Sequence, residues 1–336
     1  MKTVRKNVRE KKPALPVIAD YVLLEPWRNT NSGNARWSFA RKNGRTYFIK
    51  EFLTPVFPNT DAISKDVLEK KRAICFSYYS KKRELYQHIA NSATGNLVLI
   101  SDFFLYNTKY YITTEKIEEA KVSAESICNE STEKKHLLLK ILAFSLMRLH
   151  ENGVVHADLK PNNVLIKRSE TGNLIAKIID YDGSYLVGQQ PSSEDVQGDL
   201  PYLAPETCRY MFGEEVKLTQ KVDVFAAGLL FHLYLTGVLP AVDPEYDYVH
   251  EALLEGGKVY LSSKLPRKYA ELIRGMIASE PENRPDMKTV LEELTKMDDA
   301  PKAPPAPVPK REPVPAPPRT DKPALKGSLF KRPEGF

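Results

Sequence analysis

The sequence has little of what would place it in several large protein classes. Its three cysteines, Cys75, Cys128 and Cys208, are too few and too scattered for a disulfide framework or a zinc site. An oxidising compartment is therefore unsupported, and a reducing, cytoplasmic one is expected. Only 16 of 336 residues are glycine, which excludes a collagen-like repeat. Long apolar runs are missing too. The longest, Phe225 to Leu239, is 15 residues and contains His232, short of the roughly 20 that a membrane-spanning helix needs. The basic start, Met1 to Lys12, has no apolar segment behind it, so it does not read as a secretory signal. What is present is 42% hydrophobic and 27% charged, enough for one large or two ordinary domains.

The net charge of +6 is unevenly placed: residues 1–12 carry +5 and residues 301–336 another +5, leaving −4 between them. A nucleic-acid-binding domain would carry its basic footprint on the folded part, so no nucleic-acid partner is expected. The last 36 residues hold 11 of the 25 prolines. Such a segment cannot form helix or inner strand and reads as an extended tail suited to a proline-reading or acidic partner.

Between the tails the pattern divides in two. Up to about Thr114, β-branched and aromatic runs dominate: Tyr21–Leu24, Arg45–Phe52, Leu97–Phe104 and Tyr110–Thr114. One helical stretch interrupts them, from about Ile63 to Ala90, with apolar positions at Ile74, Tyr78, Leu85 and Ile89. Beyond residue 115 the chain reads as helical, with an amphipathic Lys134–Asn152 and a nearly all-apolar, hence buried, Lys221–Leu235. Further helices fall near Tyr269–Ile277 and Met287–Leu294. A small strand-rich lobe followed by a helical one implies a cleft between them.

The segment Val155-His156-Ala157-Asp158-Leu159-Lys160-Pro161-Asn162-Asn163 sets a carboxylate, a cation two residues on and an amide five residues on, just before an apolar strand. Phosphoryl transfer needs such a set: an acceptor for a hydroxyl proton, a positive charge on the moving phosphate and an oxygen ligand for magnesium. Ser169-Glu170-Thr171-Gly172-Asn173 makes a hairpin turn, after which Lys177-Ile178-Ile179-Asp180 returns. The hairpin would set Asp180 beside Asn163. Taken singly each feature is ordinary: Asp158 is a surface carboxylate, Lys50 a solvated strand lysine, Asp180 a turn residue. Asp223 is harder to dismiss, because a carboxylate inside an apolar helix must be satisfied by partners.

In this order and spacing the motifs resemble those of the eukaryotic-like (Hanks-type) serine/threonine protein kinases, over about residues 17–297. The resemblance implies an α+β, bilobal fold: a small antiparallel-sheet N-lobe with one long helix (17–116) and a mainly helical C-lobe (117–299). Residues 1–16 and 300–336 are then tails. It implies ATP and Mg²⁺ as cofactors and Ser/Thr of proteins as acceptor. Asp158 becomes the base and Lys160 the cation on the γ-phosphate, with Asn163 and Asp180 as magnesium ligands. Lys50, in Tyr47-Phe48-Ile49-Lys50, holds the α- and β-phosphates. Glu84 on the long helix pairs with Lys50 by its spacing to the next strand, with Glu69 the alternative. Because the gap from Lys50 to Glu84 is long, an insertion is expected around residues 53–70. Ser32 and Gly33 lie in the phosphate-covering loop, and Glu115 and Ile117 in the hinge, with Thr114 as gate. Ala204-Pro205-Glu206 closes the activation segment, Arg284 pairs with Glu206, and Asp223 braces the catalytic loop.

The chain also departs from the family. The three glycine slots of the phosphate loop hold Thr30, Ser32 and Ala35, with Gly33 as the single glycine nearby. Ala157 stands where an arginine is usual, Asp182 replaces a glycine, and Asp199 stands where threonine is common, within reach of Lys160. The sparse glycines and the Asp180-Tyr181-Asp182 form resemble prokaryotic members. Two other readings are a pseudokinase scaffold, favoured by the weak glycine loop, and a small-molecule kinase, disfavoured by Ala204-Pro205-Glu206 and Arg284.

Overall fold

The computed structural model describes residues 15–30, 33–58, 64–93, 95–117 and 122–298. Residues 1–14, the expected insertion's 59–63 and the Pro-rich 300–336 lie outside the described residues.

The chain opens with β1 (Val17–Ile18), β2 (Tyr21–Leu23), β3 (Arg28–Asn29), β4 (Ala35–Lys42) and β5 (Arg45–Phe52). The long helix α1 (Lys65–Asn91) follows, then β6 (Ile100–Tyr106) and β7 (Lys109–Glu115). Among described residues these strands make one antiparallel sheet ordered β1-β2-β4-β5-β7-β6, with β3 on β4. Strand alternation divides its two faces. Ile49, Tyr111, Tyr21, Leu23 and Ala40 pack into a small outer core. Lys50 and its register partner Ile112 face the other way, toward the cleft. β4 was not legible as a strand, because its Ala-Arg-Trp-Ser-Phe-Ala-Arg-Lys composition mixes charge on both faces.

Helix α1 buries Cys75, Leu85, Tyr86 and Ile89, whereas Ile74, expected on the inner face, is 62% exposed. Its C-terminal turn is tied down by His88, whose Nδ1 lies 2.7 Å from the carbonyl of Asn152.

Then come α2 (Ala124–Cys128), α3 (Thr132–Glu151), β8 (Val154–Val155), the hairpin β9 (Val164–Arg168) and β10 (Leu174–Ile178), and β11 (Tyr185–Leu186). The rest is mainly helical: α4 (Pro205–Met211), α5 (Lys221–Thr236), α6 (Val249–Glu255), α7 (Arg267–Met276) and α8 (Met287–Lys296). α3 starts where the Ser131 hydroxyl accepts from the Lys134 amide, and α8 where Asp286 accepts from Thr289. Helix α5 is buried on nearly every side, as its composition requires. Gly228 on α5 allows its close contact with the end of α7: a Cβ there would sit 2.7 Å from Ile277 and 2.9 Å from Met276. No helix among the described residues is long and apolar enough to cross a membrane. A strand-built N-lobe and a helical C-lobe thus share one large core.

Candidate active site

Buried Asp223 organises the loop that carries Asp158. It sits in the first turn of α5, where its Oδ2 accepts from the His156 amide and its Oδ1 from the Ala157 amide, both at 2.8 Å. His150 Nε2 lies 3.0 Å from the same carboxylate. Burial pushes Asp223 up, but His150 and these amides hold its pKa below the usual carboxylate range. The brace has work to do, because Ala157 adopts a left-handed φ of 65° that a non-glycine residue resists.

Asp158 follows. Its Oδ2 accepts from Asn163 Nδ2 at 2.9 Å and pairs with Lys160 Nζ at 2.9 Å, while its Oδ1 is buried with no partner among the described residues. Lys160 also lies 3.6 Å from Asp199, the contact that the spacing suggested. Asn163 ends a short 3-10 turn opened by Pro161.

The hairpin brings the second carboxylate back. β9 and β10 pair from Arg168–Leu174 to Val164–Ile178, with Gly172 in the turn at φ 76°. The Ile179 amide then donates to the Asn163 carbonyl at 3.0 Å, so Asp180 emerges beside Asn163. Asp180 too is left-handed, at φ 64°. Burial pushes its carboxyl up, but Lys50 holds it ionised below the ordinary range.

Lys50, buried on β5, does not meet Glu84. Both Glu84 and the alternative Glu69 are solvent-exposed on α1. The inward position nearby is occupied by Lys82 instead. Lys50 Nζ pairs with Asp180 Oδ1 at 3.0 Å and with Asp182 Oδ2 at 2.6 Å. The expected lysine–glutamate pair is thereby corrected. The helical phase that buries Leu85, Tyr86 and Ile89 turns position 84 outward, and a spacing argument without that phase chose the wrong residue.

Above these groups lies a cavity of about 250 Å³. Lys50, Asp180 and Asn162 line its polar end; Thr114, Glu115 and Ile117 lie along the expected hinge. Its sheet wall is aromatic. Trp37 and Phe48 stack at 5.5 Å with 28° between planes, and Phe39 meets both edge-on. The sequence reading missed this wall, although alternation from Lys50 puts Phe48 on the same face. Gly33 turns the β3–β4 connection at φ 70° and is not on the cavity wall; Ser32 lies outside the described residues.

The C-lobe is pinned by Arg284, whose guanidinium forks onto Glu206 at 2.7 and 2.8 Å. In comparison with known proteins, residues 63–294 match the family model described as "Protein kinase domain". The chain belongs to the protein kinase family. The matched range begins after Lys50, which lines the cavity. Among curated relatives, Calcium-dependent protein kinase 21 of Oryza sativa subsp. japonica is 35% identical over 45% of this chain and 26% of its own length. Protein kinase kin1 of Schizosaccharomyces pombe is 26% identical over 82% of this chain and 30% of its own length. Calcium-dependent protein kinase 6 of Oryza sativa subsp. japonica is 27% identical over 81% of this chain and 50% of its own length. The kinase chain therefore spans between a quarter and a half of these relatives.

Proposed function

We propose that this chain is an ATP- and magnesium-dependent kinase that transfers the γ-phosphate to Ser or Thr of protein substrates. The observation that carries the reading is the fixed set Asp158–Lys160–Asn163, tied through the Asn163 carbonyl to the Ile179 amide beside Asp180, which lines the cavity with its partner Lys50. The donor set suits magnesium: Asp180 is ionised, Asn163 turns its amide nitrogen to Asp158 and leaves its oxygen for a cation, and both are hard oxygen ligands. Bound there, the ion would neutralise charge on the transferring phosphate. Asp158 accepts the proton of the attacking hydroxyl, and Lys160 stands beside it to hold the phosphate oxygens. Lys50 anchors the remaining phosphates. Glu115 and Ile117 would meet the base, and Ser32 and Gly33 would cover the phosphates. Lys160 supports Ser/Thr as acceptor.

The lobes are taken as 17–116 and 117–299. Cytoplasmic residence and a proline-reading or acidic partner for residues 300–336 are proposed on composition alone. The named relatives are eukaryotic, so a prokaryotic placement rests on the sparse glycines and the Asp180-Tyr181-Asp182 form.

One observation favours a pseudokinase scaffold as the second reading: the stretch expected to cover the phosphates, residues 30–37, holds a single glycine, Gly33. The deciding experiment is transfer from radiolabelled γ-ATP with magnesium to generic protein substrates. Wild type should label them, and Asp158→Asn should be slower by about 10²–10⁴ while still binding nucleotide. Equal labelling by the two proteins would remove Asp158 from the mechanism, and nucleotide binding without transfer by wild type would establish the scaffold.

A further inference from the structure

A buried ammonium needs a fixed counter-charge. Lys50 is such a group, with a side chain 5% exposed. Helix α1 offers it none, since Glu84 and Glu69 both face solvent. What α1 turns inward is a second cation: Lys82, whose Nζ donates to the backbone carbonyl of Asp182 at 2.6 Å. The two ammonium groups are close enough to repel each other. The counter-charge comes from the turn after β10.

We propose that Asp182 is the positioning residue that holds Lys50 at the phosphate end of the cavity, in place of a helix carboxylate, and that Lys82 fixes Asp182 in that role. The proposal deepens the kinase reading above and rests on it for the identity of the nucleotide.

The two aspartates on Lys50 are not equivalent. Asp180 lines the cavity beside Asn163, and its side chain is 36% exposed. It is the carboxylate a cation would claim. Asp182 is absent from the cavity wall, has a 20% exposed side chain and makes the shorter contact, 2.6 against 3.0 Å. Its backbone carbonyl is held by Lys82 and its carboxylate by Lys50, so the residue is fixed by two lysines from two elements. An ammonium has three donors. With one on Asp182 and one on Asp180, the third remains for a phosphate oxygen.

The sequence carries the same relationship as an exchange of charges. A carboxylate stands at 182, where the family pattern has glycine, and a lysine stands at the inward position of α1. Lys50 and Lys82 bring two formal positive charges to match the two carboxylates of Asp180 and Asp182. Moving the carboxylate from 182 to 82 would keep Lys50 paired and relocate its anchor from the turn to the helix. The present arrangement makes the phosphate-holding lysine and the metal-holding turn one unit, independent of any carboxylate on α1.

The test uses the full chain, with Asp182→Gly, Lys82→Glu and the double variant, and isothermal titration with Mg²⁺·ATP. Each single variant should bind about tenfold more weakly than wild type, roughly 1.4 kcal/mol. The double variant should recover most of that loss, because Glu at 82 then faces Lys50. A single-variant loss under about threefold, or a double variant no tighter than Asp182→Gly, would overturn the proposal. Should wild type itself bind no Mg²⁺·ATP, the kinase reading falls, and the anchor is judged without nucleotide by thermal melting. There Lys50→Met, Asp182→Asn and their combination form a cycle. A combined loss smaller than the sum of the single losses supports the anchor, and additive losses overturn it.

Discussion

Arg284 and Glu206, 78 residues apart, form a buried fork in which every guanidinium donor is used. Nη1 and Nη2 take the two carboxylate oxygens at 2.7 and 2.8 Å; the remaining bonds go to the carbonyls of Ala278, Lys221 and Ser279. The guanidinium also lies 4.9 Å from the ring centre of Phe225. Lysine cannot reproduce a planar set of five donors. Removing the cation altogether, as in Arg284→Met, should destabilise the domain by about 3–5 kcal/mol, the cost of leaving Glu206 buried without its partner. Urea unfolding at neutral pH measures it; a loss under about 1 kcal/mol would mean that the fork is dispensable.

The aromatic wall makes a prediction about the nucleotide. If a base enters the cavity it meets Phe48 and Trp37, and base–aromatic stacking is worth about 1–3 kcal/mol. Trp37→Ala should weaken Mg²⁺·ATP binding by that amount, in a titration where the melting temperature confirms a folded protein. Unchanged affinity would place the base elsewhere.

Acid stability is set in part by His232. Its ring is fully buried, with Nδ1 donating to the Val238 carbonyl at 2.7 Å and Nε2 accepting from the Ser262 amide at 2.9 Å. A second proton would have to displace that amide, and burial pushes the pKa below the ordinary histidine value. His136 and His250 are lowered by burial as well. Groups with a depressed folded pKa leave the unfolded chain binding more protons, so stability rises with pH through this window. Their contribution is complete above about pH 6.5 and lost as pH falls below it. Urea midpoints should drop between about pH 7.5 and about pH 5.5, and the drop should be shallower in His232→Gln. An identical slope in that variant would exclude His232 as a contributor.

Activation-segment phosphorylation should be unnecessary. Ala157 offers no cation where a phosphate would be gripped, and Arg209 is occupied by Glu214 at 2.8 Å. Ser184, a candidate acceptor by sequence position, is buried and donates to the His156 carbonyl at 2.9 Å, so it is a structural hydroxyl. Asp199 already pairs with Lys160. Ser192→Ala with Ser193→Ala, and phosphatase treatment of wild type, should leave initial rates within about threefold. A loss of about tenfold, roughly 1.4 kcal/mol in barrier, would show that a phosphate is required.

Local chemistry determined much of this protein from the sequence alone. The spacing from Asp158 to Asn163, the Gly172 turn that returns Asp180, and the buried Asp223 each followed from short-range geometry or from the cost of an unsatisfied charge. The Arg284–Glu206 pair was available through resemblance, since nothing local links residues 78 apart. Tertiary structure decided the partner of Lys50. Glu84 and Asp182 are both carboxylates within plausible reach, and only the rotation of α1 about its axis, fixed by burial of Leu85, Tyr86 and Ile89, turns one outward and leaves the other in place. The same holds for the aromatic wall: Trp37, Phe39 and Phe48 come from two strands, and their meeting depends on the β4–β5 register that pairs Trp37 with Lys50 and Phe39 with Phe48. Register and helix phase are set by which faces find a core, and that is a property of the assembled chain.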